Sequence, residues 1–197
     1  MRRGLISVGI FLAFVAVVTL SRHLATSSST TTTSTTTTTA ASGSTTTTTA
    51  TTVQCAGADF RGAYNEGEGA AGTIYASVTL TKTTPGPCTE NGWPTLTLQD
   101  HYGAVLPSST VDVPSSSATE SFVDSRANQP PSAHAVVSGA TLTFSLAYSD
   151  VPTGTETCPS ATTLSVAFRT GGSTVAVTPQ VAPAPCDHGT VWVSPLY

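Results

Sequence analysis

Charge is scarce in this 197-residue chain: Asp, Glu, Lys and Arg together make up 9% of it. The shortage is sharpest for basic side chains beyond the N-terminus. From Val53 onward, only Arg61, Lys82, Arg126 and Arg169 stand against all eleven acidic residues, a formal net charge of −7. Such a region repels a phosphate backbone and offers no basic run interleaved with aromatics, so no nucleic acid is expected as a partner. Methionine is limited to Met1, which leaves no thioether ligands for copper. There is no G-x-S-x-G elbow and no C-x-x-C pair. Asn65, Asn91 and Asn128 are followed by Glu-Gly, Gly-Trp and Gln-Pro, so no N-x-[ST] glycosylation sequon exists. Beyond residue 52 no helical period of useful length appears.

What is present divides the chain in three. Met1-Arg2-Arg3 precede Gly4 to Leu20, a run broken only by Ser7, Gly9 and Thr19. A basic start followed by an apolar stretch reads as a signal peptide or an N-terminal membrane anchor over residues 1–24. The run is slightly shorter than the ~20 residues that span a bilayer. Leu20-Ser-Arg-His-Leu-Ala25 offers no good cleavage box, which tilts the balance toward an apolar anchoring helix. Either reading exports the rest of the chain and leaves Arg2 and Arg3 in the cytoplasm. The expected location is the extracytoplasmic face of the cell membrane, held by residues 4–20, or secretion. Membrane contact is expected only through that segment.

Residues 25–52 are a Thr/Ser tract. From Thr26 to Thr52, 23 of 27 positions are Ser or Thr, interrupted by Ala40, Ala41, Gly43 and Ala50. With no apolar side chains to offset ordering entropy, this linker is expected to be disordered. It reaches at most about 90 Å when extended, and its dense hydroxyls suit an O-glycosylated stalk. Residues 53–197 then provide enough chain for one core.

All four cysteines lie in that last part. An even count in an exported domain reads as two disulfides. Four cysteines allow three pairings. Position 172, at the centre of a hairpin expected around Gly171-Gly172, is the midpoint of Cys158 and Cys186. Antiparallel strands leaving that turn bring the two cysteines together, so Cys158–Cys186 is favoured. Cys55–Cys88, which brackets the strand at Thr73–Leu80, follows by elimination.

Strand patterns fill the domain. Ile74, Ala76, Val78 and Leu80 alternate with Thr73, Tyr75, Ser77 and Thr79, and Pro85-Gly-Pro87 ends that run. Leu142, Phe144, Leu146 and Tyr148 alternate just as strictly. Further strands are expected at Thr95–Gln99, after an Asp100-His-Tyr-Gly103 turn at Ala104–Leu106, at Val111–Val113, Glu120–Val123 and Ala135–Ser138, in the Gly171 hairpin (Leu164 to Phe168 and Val175 to Val177), and at Thr190–Ser194. Asn65 to Gly72, with three glycines, reads as a loop. The expectation is an all-β domain, an antiparallel β-sandwich of immunoglobulin-like type, with a small barrel as the alternative.

Candidate sites are sparse. His101, His134 and His188 with Asp100, Asp124, Asp150 and Asp187 supply the types for a Ser-His-Asp set or a metal site, but loop residues of these types are ordinarily solvated. Glu66 and Glu68 beside flexible glycines are too few oxygens for a calcium ion. Trp93, Tyr102 and Trp192 suit a carbohydrate-stacking platform, though a lone Trp at a strand end is more often core. No catalytic residue, cofactor or metal is therefore expected.

Taken together, Glu68-Gly-Ala-Ala-Gly-Thr-Ile-Tyr75, Leu80-Thr-Lys-Thr83, Cys88-Thr-Glu-Asn-Gly-Trp-Pro94, Leu98-Gln-Asp-His-Tyr-Gly103 and Val193-Ser-Pro195 resemble a known family. It is the DUF 4232 domain of unknown function, common in secreted, anchored or lipoprotein chains of actinobacteria. The resemblance covers Gln54 to about Pro195. It implies a secreted β-sandwich with the same two disulfides, and no activity. Lys82 stands where the family usually has Asn, and Glu90 where it has an apolar residue. The resulting expectation is a non-enzymatic, cell-envelope interaction or binding module on a stalk, its partner an envelope protein or glycan. The alternatives are an envelope hydrolase using loop His and Asp residues, or a small-ligand or metal binder.

Overall fold

Alternating apolar and hydroxyl-bearing side chains give one face that must leave water and one that can remain in it. The computed structural model describes residues 53–115 and 120–197, and there this alternation has become strands. In order they are β1 (Phe60–Ala70), β2 (Thr73–Lys82), β3 (Cys88–Glu90), β4 (Thr95–Gln99), β5 (Ser109–Asp112), β6 (His134–Val136), β7 (Thr141–Ser149), β8 (Thr163–Ala167), β9 (Val175–Val177) and β10 (Thr190–Val193). Two short 3-10 turns, Gly57–Asp59 and Ser125–Asn128, accompany them. The expected N-terminal segment (1–24) and linker (25–52) lie outside the described residues.

The strands form three sheets: β1-β2-β7-β10-β5, β4-β8-β9 and the pair β3-β6. Val78, Leu80, Leu142, Phe144 and Leu146 from the first sheet share one buried cluster with Leu96, Leu98, Leu164, Val166 and Val177 from the second. Each such side chain contributes roughly 1.5–3 kcal/mol when fully buried. The Phe60 and Phe168 rings meet edge-on at 5.2 Å between centroids. Cys55 is bonded to Cys88 with Cα atoms 4.9 Å apart, and Cys158 to Cys186 at 4.7 Å. The first bridge fixes the start of the domain to β3. The second joins the two chain segments that flank the β8–β9 hairpin.

Several elements differ from the sequence-based expectation. Asn65–Gly72 is not a loop. Its first six residues extend β1 to Ala70, and only Ala71-Gly72 turn the chain into β2. The glycines serve close approach: a Cβ on Gly67 would overlap the Tyr75 carbonyl, and one on Gly62 the Val177 side chain. The β1–β2 register slips between Glu66 and Gly69, a bulge that absorbs the Gly-Glu insertion. The antiparallel expectation also fails at one edge, where β5 pairs with β10 in parallel. Ala104–Leu106 is not a strand but a turn return, with one bridge from Val105 to Gln99. Glu120–Val123 forms no ladder, because Phe122 is buried on the outer face of the five-stranded sheet instead.

That outer face carries a second small cluster. Val113, Phe122, Ala127 and Ala147 are buried there, with Tyr75, Trp192 and Tyr197 packed against them. Two charged side chains are buried elsewhere, Lys82 (3% exposed) and Glu90 (0% exposed). The Lys82 Nζ donates to the hydroxyl and carbonyl of Thr84. Glu90 Oε2 accepts from the Thr170 hydroxyl at 3.2 Å, while Oε1 has no hydrogen-bond partner.

Candidate functional site

The period of two along β2 sends Tyr75 and Ser77 to the outer face, away from the main core. Asn65 on β1 is opposite Ser77, and its amide donates to the Ser77 and Thr79 hydroxyls at 3.4 and 3.0 Å. Ser145 on β7 is also opposite Ser77 and is joined to the Tyr197 hydroxyl at 3.0 Å. These residues give the outer face a hydroxyl-rich floor beside Tyr75.

One wall is the segment around Phe122. Asn128 clamps it from both sides: Phe122 N–H donates to Asn128 Oδ1 at 2.8 Å, and Asn128 Nδ2 donates to the Phe122 carbonyl at 2.7 Å. Asp124 caps the following 3-10 turn by accepting from Arg126 N–H at 2.9 Å. The Arg126 guanidinium returns to the Asp124 carboxylate at 2.6 Å and lies 4.8 Å from the centroid of the Tyr197 ring. Arg126 lowers the Asp124 pKa to about 2. The Tyr75 hydroxyl donates to Glu120 at 2.6 Å, and that bond raises the phenol's pKa. Both contacts pin this segment to the sheet.

Between the wall and the bulged end of β1 lies an open groove of about 410 Å³. Tyr75 and Phe122 give it apolar surface, Ser77 and Ser145 its hydroxyls, and Glu68 and Asp124 its carboxylates, while Glu66 and Ala76 border it with side chains turned to the other face of the sheet. Val123 at its edge is 91% exposed. A smaller cavity of about 170 Å³ is lined by Tyr64, Ile74, Tyr148 and Val181 and shares Glu66 and Gly67 with the groove. There the Glu66 Oε1 accepts from Val181 N–H at 2.7 Å. Burial raises the Tyr64 phenol far above its usual range.

The residues singled out by type in the sequence sit on separate elements. His101 is exposed and lies against Tyr102 with the rings tilted by 43° and centroids 3.6 Å apart, on a turn whose amides donate to Asp100. His134 is on β6, its Nε2 3.0 Å from the Leu196 carbonyl and 3.2 Å from the Ser132 hydroxyl. His188 precedes β10 in a left-handed backbone conformation (φ 58°), and its N–H donates to Glu156 at 2.7 Å. Glu156 accepts from Asp187 N–H as well, and these backbone bonds lower its pKa. Among the described residues no group of three or more His, Cys, Asp or Glu is placed to hold a metal ion.

The aromatic set is also dispersed. Trp192 packs in the outer cluster, and Trp93 donates its indole N–H to the Val113 carbonyl at 3.0 Å beneath Arg169. Tyr102 is 84% exposed at the turn. Of the sequence candidates, Glu68 and Asp124 alone line the groove together, with Glu66 at its border. Sequence reasoning missed Tyr75, Ser77, Phe122 and Ser145. Only the alternation of Tyr75 and Ser77 against the core positions of β2 signalled an outward face.

No curated protein and no solved structure matches the chain significantly. A family match does exist, over residues 55–197, and it spans both disulfides, all three sheets and the groove. This chain belongs to the family described as Domain of unknown function (DUF4232).

Proposed function

We propose that the protein is an exported, cell-envelope-associated binding module rather than an enzyme. Its folded domain is read as an immunoglobulin-like sandwich presented on a Thr/Ser-rich stalk, and it engages an envelope protein or glycan through the groove beside β1. The groove itself carries this reading. A concavity of about 410 Å³ falls within the size range of ligand pockets, and its walls mix aromatic surface with hydroxyls and carboxylates. The two disulfides are compatible with an oxidising, extracytoplasmic compartment. The basic start and apolar run at residues 1–20 supply an export route.

The test uses the full chain in its native cells, with a photo-crosslinking amino acid at Val123 on the groove edge or at Val105 on a distant turn. A discrete adduct from position 123, unchanged by alanine at His101, His134 and His188, is the expected result. Equal labelling from position 105 removes the groove from the account. Loss of the adduct in the triple histidine variant moves the reading to the hydrolase alternative.

A further inference from the structure

Among the described residues, β1 is the longest strand with an open edge. It ends its sheet, and residues 61–70 make no backbone hydrogen bonds there beyond the ladder with β2. At the opposite edge β5 has four residues, and β4 and β9 at the edges of the three-stranded sheet have five and three, against eleven in β1. A row of free N–H and C=O groups on such an edge accepts another strand, and natural edges are blunted by lysine, proline or a bulge. β1 holds neither lysine nor proline, and its bulge comes only after Glu66. We infer that this edge receives β1 of a second copy of the chain, antiparallel and centred on Tyr64, so that Arg61 of each copy meets Glu68 of the other. This step stands on the open edge and not on what the groove binds.

The charges along β1 choose the partner. Arg61, Ala63 and Asn65 share the outer face with Thr81, Thr79 and Ser77, which they oppose on β2. Between the pairs Glu66–Ala76 and Gly69–Ile74, the bulge sets Gly67 and Glu68 together against Tyr75 on that same face. Arg61 and Glu68 are both exposed, and neither is in an ion pair among the described residues. Of the domain's four basic side chains, Arg126 is taken by Asp124, Arg169 by Asp112, and Lys82 is buried on Thr84. Arg61 is left uncompensated, on the open edge.

A cation near one end of the strand and an anion near the other make the edge complementary to itself about a twofold axis. With the axis at Tyr64, Ala63 faces Asn65 of the second copy, Arg61 faces its Gly67-Glu68 bulge, and Glu66 faces its Gly62. No like charges meet, and two Arg61–Glu68 pairs form. The two Tyr64 side chains become cross-strand neighbours on the inner face. Moving the axis to Ala63 or Asn65 sets Arg61 against Asn65 or Ala70 and loses both pairs. The second copy's Arg61 then lies at the rim of the groove, beside Glu68. A single strand pair is a small interface, so the expected state is a concentration-dependent equilibrium rather than a permanent dimer.

Sedimentation equilibrium of the full chain in density-matched detergent should show monomer and dimer, with the dimer weakened by added salt. Arg61→Glu and Glu68→Arg each put like charges at both pairs, and each should raise the dissociation constant about ten-fold. Combining them restores opposite charges and should return it to within about three-fold of the wild type. Amide exchange within residues 62–66 of the wild type should slow as concentration rises, a readout that needs no variant. A monomer at the highest attainable concentration overturns the inference, as does exchange at 62–66 that ignores concentration. A dimer that neither single substitution weakens, or that the double exchange fails to recover, overturns it too, since association then lies elsewhere on the chain.

Discussion

Glu90 offers the sharpest test of the physical account. Its side chain is fully buried, Thr170 is its one side-chain hydrogen-bond partner among the described residues, and Oε1 has none there. Burial raises its pKa above the ordinary 4.5. The sign follows directly. Between the unfolded value and the raised folded value, the folded carboxyl keeps its proton while the unfolded one loses it. Stability is therefore fully present below about pH 4.5 and falls by about 1.4 kcal/mol per pH unit until the folded pKa is passed. Glu90→Leu removes both the titration and the orphaned oxygen. Removing the orphaned oxygen recovers roughly 1–3 kcal/mol and losing the Thr170 bond takes back about 0.5–1.5, so the variant should gain about 1 kcal/mol even in acid. The gain should widen as pH rises. In a domain of this size each kcal/mol moves Tm by about 2–4 °C. Urea unfolding of both proteins from pH 4.5 to 8 measures the difference directly. Parallel curves across that range would refute the raised pKa, and a less stable Glu90→Leu would refute the orphaned-oxygen argument.

Other consequences follow from the same structure. Replacing Cys158 and Cys186 together by serine should cost about 3–4 kcal/mol in the chain-entropy description for their 28-residue separation; a non-reducing peptide map must still link Cys55 to Cys88, and a link from Cys88 to Cys158 in the wild type would sink the pairing. Gly67→Ala drives a methyl into the Tyr75 carbonyl, so it should destabilise by roughly 1–3 kcal/mol and free the end of β1. Hydrogen exchange should then quicken at Ser77 but not at Leu164; unchanged exchange at Ser77 would contradict the tight approach. As acidity increases, Asp124 should release Arg126 only near pH 2: its pKa is depressed, so its stabilisation is present above the unfolded value and disappears as pH falls through about 2. Side-chain NMR titration of Asp124 checks this, and a midpoint near 4 would show that the pair is not formed.

What could be read from the sequence was whatever depends on neighbours along the chain. Leu142, Phe144, Leu146 and Tyr148 alternate because one face of β7 meets the core, and that period is visible without knowing which strand lies beside it. The Gly171-Gly172 turn is likewise local: both residues have positive φ, at 91° and 102°, which only glycine adopts without strain. A turn placed there carried the cysteine pairing with it.

Pairing across distance was decided only by the tertiary structure. Glu66-Gly-Glu-Gly69 has the composition of a loop, and β2 makes it strand by offering a ladder that the glycines can approach closely. The parallel contact of β5 with β10 joins residues about eighty positions apart, and no local pattern encodes that direction. Phe122 shows the same limit from the other side. The strand expected at Glu120–Val123 is absent, and Phe122 is buried by lying across a sheet rather than joining one. The groove arises from that choice: Tyr75, Ser77, Ser145 and Phe122 come from three distant segments, brought together by the packing of two layers. Sequence period specifies which side of a strand faces inward, because side-chain direction is a property of the backbone. Which segments then meet depends on non-local packing free energy, and that is where Glu68 and Asp124 acquired a common surface.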